Sequence, residues 1–284
     1  MSVELQTSEV VYDAEPQLRH ARRFVQAAAA DIREARHLTW RLMVQNLRAH
    51  YRQSALGYLW LLLTPAATAV VWIFLRSARI VSFGETRVPY PLYVMSGVFL
   101  WQGFLRMLNV PLQQLNASRH FLTKIRFAWE ALLLAGWGEA ALEFLVYLVV
   151  LGGGFALFGV SFLGPVLRAL PAMAALLLLG AAIGILLTPL GLLYGDVSRA
   201  VGLATFLLFF LTPIVYPPPT TMPGVLTVVA NPVALLLVTS REVMTSGVVS
   251  HPVLAMAFAG GAVILLLAGW LVFRLAVPHL VSRL

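Results

Sequence analysis

Residues 55–75 read ALGYLWLLLTPAATAVVWIFL, a stretch without one charged side chain. A helix needs about 20 apolar residues to cross the hydrocarbon core of a bilayer, so this stretch predicts a membrane span. Similar runs lie on its C-terminal side, at about 90–112 (interrupted only by Arg106), 131–151 (holding Glu139 and Glu143), 169–193 and 252–273. The uncharged stretch 200–240 is too long for one helix and too short for two helices with a loop. Pro213, Pro217, Pro218, Pro219 and Pro223 divide it, because proline ends a helix by removing a donor and crowding the preceding turn. A fifth span is therefore expected to end near Tyr216. The resulting class is an all-α integral membrane protein with six spans within residues 54–275.

Composition agrees. Of 284 residues, 60% are hydrophobic and 11% charged, against roughly 25% charged in a soluble domain. So little charge cannot cover a globular surface, which excludes a soluble enzyme and a disordered chain. It also excludes a nucleic-acid binder, despite a net charge of +8. The chain has no cysteine, so disulfides and thiolate metal sites are excluded too. Residues 1–30 contain Glu4, Glu9, Asp13 and Glu15 and no apolar core; they read as a cytoplasmic tail rather than a signal peptide.

The basic residues set the orientation. Placing the N-terminus inside puts 14 of them on the inner side and five on the outer, with Arg106 inside a span. Positive charge collects on the cytoplasmic side, so both termini, including a short tail at 276–284, are expected there. Residues 31–53 read as a basic amphipathic interface helix. Ile32, Ala35, Leu38, Leu42, Met43 and Leu47 share one half of the wheel, and Arg33, Glu34, His37, Arg41, Gln45, Arg48 and Arg52 the other. Such a helix lies against anionic lipid headgroups, with Trp40 at the boundary.

Between the last two spans, residues 217–251 contain three consecutive prolines, Asn231-Pro232 and the apolar run Val233 to Val238, ended by Arg241-Glu242. That run is too short to cross. It suits a re-entrant hairpin shielded by protein on the outer side, or an external loop packed on the helix ends.

No catalytic constellation is visible. His20, His37, His50, His120, His251 and His279 show no metal-ligand spacing, so neither a catalytic residue nor a metal site is expected. Glu139 and Glu143 share a helix face. Arg106 in the neighbouring span lies at a comparable depth, so a structural pair of Arg106 with Glu139 is favoured over a proton relay. A phosphate loop needs GxxxxGK[ST]. The single lysine, Lys124, follows Thr123 with no glycine upstream, so any ATP-driven step requires another polypeptide. Trp60, Phe99, Trp101, Phe104, Phe206, Phe209 and Phe210 lie deep in the spans, where aromatic faces either pack helices or stack on sugar rings.

Several segments, taken in order on six spans, resemble a family: the ABC-2 type permeases of polysaccharide exporters, which move O-antigen, capsule or teichoic-acid chains. The marks are Tyr51-Arg52-Gln53, Ala55-Leu56-Gly57-Tyr58-Leu59-Trp60, Thr64-Pro65, Tyr90-Pro91-Leu92-Tyr93-Val94 with Ser96-Gly97, and Asn116-Ala117 leading to Leu122-Thr123-Lys124. Later come Leu193-Tyr194-Gly195-Asp196-Val197, Thr212-Pro213-Ile214-Val215-Tyr216-Pro217 and Asn231-Pro232; Ser240-Arg241-Glu242 resembles the capsule exporters in particular, while the coupling region is more similar to the O-antigen type. The chain departs from the family's pattern at Phe127-Ala128-Trp129-Glu130, where many relatives have a Phe-Pro-Arg-like stretch, and at Gly195-Asp196, often Arg-Asp.

The resemblance implies a half-transporter of the bacterial inner membrane. Two copies form a channel for a lipid-linked polysaccharide, and two ATP-binding subunits carry the ATP and Mg; no cofactor belongs to this chain. It implies a coupling helix at about 117–127, with Arg119, His120, Phe121, Leu122, Lys124, Ile125 and Arg126 against the ATPase. The first and fifth spans would line the channel, which singles out Trp60, Trp72, Phe206, Phe209 and Phe210. Residues 217–251 would form the outer gate. Competing readings are an ABC-2 exporter of a small drug or lipid, a membrane lipid-sugar transferase, and a proton-coupled carrier using Glu139 or Glu143.

Overall fold

The structure is a computed structural model that describes residues 36–48, 57, 59–82, 84–122, 129–222 and 224–281. Among them all regular structure is helical. The helices are α1 (36–48), α2 (Leu59–Ser77), α3 (Tyr90–Leu122), α4 (Trp129–Leu157), α5 (Leu163–Leu193), α6 (Asp196–Leu211), α7 (Gly224–Ala230), α8 (Pro232–Thr245) and α9 (Pro252–Val281).

Each expected span has a helix at its position, but only some meet the demands of a bilayer on their own. Among the described residues, α2, α4, α5 and α9 are long and apolar enough to cross. The α7–α8 pair, bent by 96°, would make a fifth if it counts as one broken span. The second and fifth expected spans do not pass that test, for different reasons. α3 is long, but Gln102, Arg106, Asn109, Gln113 and Gln114 dilute its apolar character. α6 is apolar but has 16 residues, about 24 Å at 1.5 Å per residue against a core of about 30 Å.

The centre of the bundle is α5, packed on α3, α9 and α8. Its fit against α3 depends on Gly180 and Gly184, one turn apart on one face. A Cβ at Gly180 would lie 2.6 Å from the Phe104 carbonyl oxygen, and one at Gly184 would collide with the Leu108 carbonyl. Small residues at this spacing let helix backbones approach, so that dispersion contacts drive association in lipid. α4 runs antiparallel to α3: its Gly154 faces Leu92 and its Trp137 indole donates to the Met107 carbonyl at 3.2 Å. The core between them holds Phe99 stacked on Tyr147 at 5.1 Å, and the buried Phe104 and Phe155.

α1 lies across α4. Met43 is its buried residue, with its sulfur over Gly138, while Arg41, Gln45, Arg48 and Trp40 face outward. Residues 31–35 and 49–53 of the expected interface helix lie outside the described residues. Near the start of α4, Glu130 pairs with Arg274 of α9 at 3.6 Å.

The bend between α7 and α8 has a local cause. Asn231 is the N-cap of α8: its side-chain oxygen accepts from the Val233 and Ala234 amides at 3.0 and 3.2 Å, and Pro232 occupies the first helical position. Proline is favoured there because its missing N–H has no intrahelical partner to lose. Replacing Asn231 with alanine is expected to destabilise the protein by about 1 kcal/mol, read as a lower midpoint of thermal unfolding in detergent.

Candidate functional site

The motif segments that lie far apart in the sequence meet at one place, the end of the bundle where α3 starts and α6 stops. α6 stops at Leu211 because Pro213 cannot continue it. After Thr212, whose amide still donates to the Leu208 carbonyl at 3.0 Å, the chain runs through residues 213–216 outside any helix, and its carbonyls need donors. Side chains supply them. Arg241 of α8 donates through one terminal nitrogen to the Pro213 carbonyl at 3.0 Å and through the other to the Ile214 carbonyl at 2.7 Å. The Tyr90 hydroxyl donates to the Val215 carbonyl at 3.1 Å, and the Tyr93 hydroxyl to the Tyr216 carbonyl at 3.0 Å. Four consecutive carbonyls are thus met by three side chains from α3 and α8. A fifth link joins the Asn231 amide to the Thr212 hydroxyl at 3.3 Å.

Arg241 is 3% exposed. Its guanidinium lies 4.0 Å from the centroid of the Tyr93 ring, which stabilises a desolvated cation. The guanidinium and the Ile214 carbonyl meet directly over Gly97, where a Cβ would collide with both. The Ser96-Gly97 motif therefore has a steric reason: only glycine leaves room for this crossing. Nearby, the Arg76 guanidinium at the end of α2 covers the Tyr90 ring at 4.1 Å.

A second polar group lies deeper. Arg106 of α3 donates to Glu143 at 2.8 and 3.0 Å and to Glu139 at 3.2 Å. The sequence pointed to Glu139; the shorter bonds go to Glu143, one turn further along α4 on the same face. Both carboxylates are buried and Arg106 is a quarter exposed. The exposed side opens into a cavity of about 400 Å³ lined by Asn46 of α1, Arg106, Gln113 and Gln114 of α3, and Glu139 of α4.

The five expected channel aromatics do not form one surface in the single chain. Trp60, Phe206 and Phe210 point outward, each more than half exposed. Trp72 is half-buried against the core, and Phe209 turns inward to meet Trp101 edge-on at 5.9 Å. Phe210 joins Phe206 at 5.3 Å and Phe209 at 5.4 Å, both in T-shaped contact. The chain therefore presents an outward pair, Phe206 and Phe210, backed by a third ring.

In the coupling region, the backbone of Arg119, His120, Phe121 and Leu122 continues α3 rather than beginning a separate element. Lys124, Ile125 and Arg126 lie outside the described residues. Among the described residues, no group of three His, Asp or Glu side chains stands close enough to hold a metal ion.

Reading the sequence did not anticipate the pairing of Arg241, Tyr90 and Tyr93 with the chain after α6, nor the Gly180–Gly184 contact. Only the latter had a local signal, in the small-residue spacing of Gly180-Ala181-Ala182-Ile183-Gly184.

Comparison with known proteins gives this arrangement a setting. Two proteins of Klebsiella pneumoniae, each named O-antigen export system permease protein RfbA, are 26% and 24% identical to the chain. Each alignment runs over 235 residues, 81% of this chain and 88% of the relative. The chain is similar to O-antigen export permeases along most of its length. A protein of the same name from Myxococcus xanthus is 27% identical over 103 residues, 36% of this chain and 38% of the relative. No protein-family model matches the chain. The relatives' names agree with the resemblance to ABC-2 type permeases of polysaccharide exporters carried by the motifs.

Proposed function

We propose that the chain is the membrane-embedded subunit of an ATP-driven exporter that moves a lipid-linked polysaccharide, of O-antigen or capsular type, across the bacterial inner membrane. The observation that carries this reading is the likeness over 81% of the chain to permeases named for O-antigen export. In this reading α2, α3, α4, α5, α6 and α9 all span, with both termini cytoplasmic. The polar residues of α3 are tolerated because Arg106 pairs with Glu139 and Glu143 of α4, Asn109 bonds the Leu105 carbonyl of its own helix and Gln114 lies against Gly136 of α4, and α7–α8 is a re-entrant hairpin at the outer face. Two copies assemble with two ATP-binding subunits, which hold the ATP and Mg.

The exposed apolar faces of α2 and α6 support the assembly. α6 buries none of its residues in the single chain and α2 buries two, so both have most of their surface left for lipid or a second copy. The Phe206–Phe210 pair would then face the path of the sugar chain, where ring faces pack on the apolar faces of pyranoses without holding any one sugar tightly. Arg106 holds both glutamates in hydrogen-bonded pairs, which favours a structural role for them over proton coupling.

Deleting the gene for this chain is expected to leave undecorated cells with polymer retained in the cytoplasm; surface polymer at the usual level would refute the reading. Phe206→Ala combined with Phe210→Ala is expected to lower polymer export roughly 10-fold, the cost of about 1.4 kcal/mol of lost ring contacts, while leaving assembly with the ATPase intact. Polymer labelling at the cell surface checks the first effect and co-purification the second.

A further inference from the structure

We propose that Arg241 is a positioning residue that fixes the Thr212 end of α6, so that the movement of α6 is confined to its Asp196 end. The inference rests on the transport reading and adds to it that α6 moves during the cycle.

The two ends of α6 are held very differently. At the Thr212 end, the carbonyls of Pro213, Ile214, Val215 and Tyr216 accept bonds from Arg241, Tyr90 and Tyr93, and Asn231 holds Thr212. Arg241 is the central member, since it bonds two adjacent carbonyls and lies on the ring of Tyr93, which bonds a third. A planar, forked guanidinium can hold two acceptors at a fixed angle, which an ammonium cannot. The clamp is also sterically closed over Gly97.

At the Asp196 end, Gly195 is the N-cap and no side chain caps the helix. No atom outside its neighbours comes within 4 Å of where a Cβ on Gly195 would lie. Asp196 and Arg199 are almost fully exposed and bond each other at 2.9 Å. Among the described residues, the packing there comes from Val197 and Val201, partly buried against the core. An element clamped at one end by buried side-chain bonds, and held at the other by two partly buried valines and the short Tyr194-Gly195 link to α5, where the Val197 amide donates to the Tyr194 carbonyl at 3.2 Å, pivots about the clamp.

The absence of cysteine in the sequence allows labels to be placed without removing a native thiol. Spin labels at Leu157→Cys and Leu211→Cys report the Thr212 end; labels at Leu134→Cys and Ser198→Cys report the Asp196 end. All four positions are exposed. In the assembled transporter without nucleotide, the distance distribution of the second pair should be roughly twice as wide as that of the first. Arg241→Lys, which keeps the charge but loses the fork, should widen the first pair towards the second. Tyr93→Phe, which removes one bond, should widen it less. Equal widths in the otherwise unaltered chain overturn the proposal, as does a first pair that stays narrow with lysine at 241. Adding a non-hydrolysable ATP analogue should shift the second pair and leave the first in place. A shift of the first pair overturns the clamp. If neither pair shifts, the transport reading fails, and the widths still decide the clamp.

Discussion

Alanine at position 97 is expected to destabilise the protein by about 3–5 kcal/mol, enough to lose most of the folded chain from the membrane. The figure is that for stripping a buried charged group of its partners. The added methyl group would occupy the space where the Arg241 guanidinium reaches the Ile214 carbonyl. The two objects it meets are a backbone carbonyl and a guanidinium held at three points, so neither can step aside cheaply. Displacing Arg241 leaves a cation in a site that is 97% shielded and strands two carbonyls. Gly260 in α9 supplies the control, since a Cβ there meets nothing within 4 Å. Alanine at 260 should be neutral or stabilising by up to about 1 kcal/mol through helix propensity. Size-exclusion profiles after graded heating in detergent compare the two: position 97 should lose its monodisperse peak at temperatures that leave position 260 unchanged.

Arg106→Leu is expected to produce the second large loss, about 3 kcal/mol, at the lower end for a broken buried pair because Arg106 is a quarter exposed. It leaves the Glu139 and Glu143 carboxylates in the bundle without the guanidinium that bonds both. Removing the charges together should recover much of the loss, because neutral amides beside leucine cost less than stranded carboxylates. The triple variant Arg106→Leu, Glu139→Gln, Glu143→Gln should therefore melt above Arg106→Leu alone. A triple variant that melts lower would mean that the ionic group contributes more than its own neutralisation.

The helices were legible because lipid demands long uncharged runs, and the ends were less so because charge is a blunt marker of where a helix stops. α5 begins at Leu163 rather than near 169. Its Arg168 is exposed, and near a helix end a long side chain can keep its charge in the headgroup region. α6 ends at Leu211 rather than near Tyr216; Pro213 marks that stop more closely than the triple proline does. α3 extends past 112 to Leu122, since the polar residues of its second half do not interrupt a helix, only its apolar character. The Arg106 group was visible in outline because two acids one turn apart and one base at matching depth are a local pattern.

The clamp on residues 212–216 was not legible. Its donors, Tyr90, Tyr93, Asn231 and Arg241, belong to three separate segments, and the tyrosines lie more than 120 residues from their acceptors. Their acceptors are main-chain carbonyls, which every residue carries, so no side-chain pattern announces the pairing. Family resemblance marked all four of these residues individually without saying that they touch.

The most direct test of the central claim uses inside-out vesicles containing this chain together with its ATP-binding partner and a lipid-linked polysaccharide added from outside. The account predicts that polymer becomes protected from an external glycosidase when hydrolysable ATP is present. It predicts no protection with a non-hydrolysable analogue, or when either subunit is omitted. Protection that appears without the partner or without ATP, or that fails to appear with the full set, would contradict it.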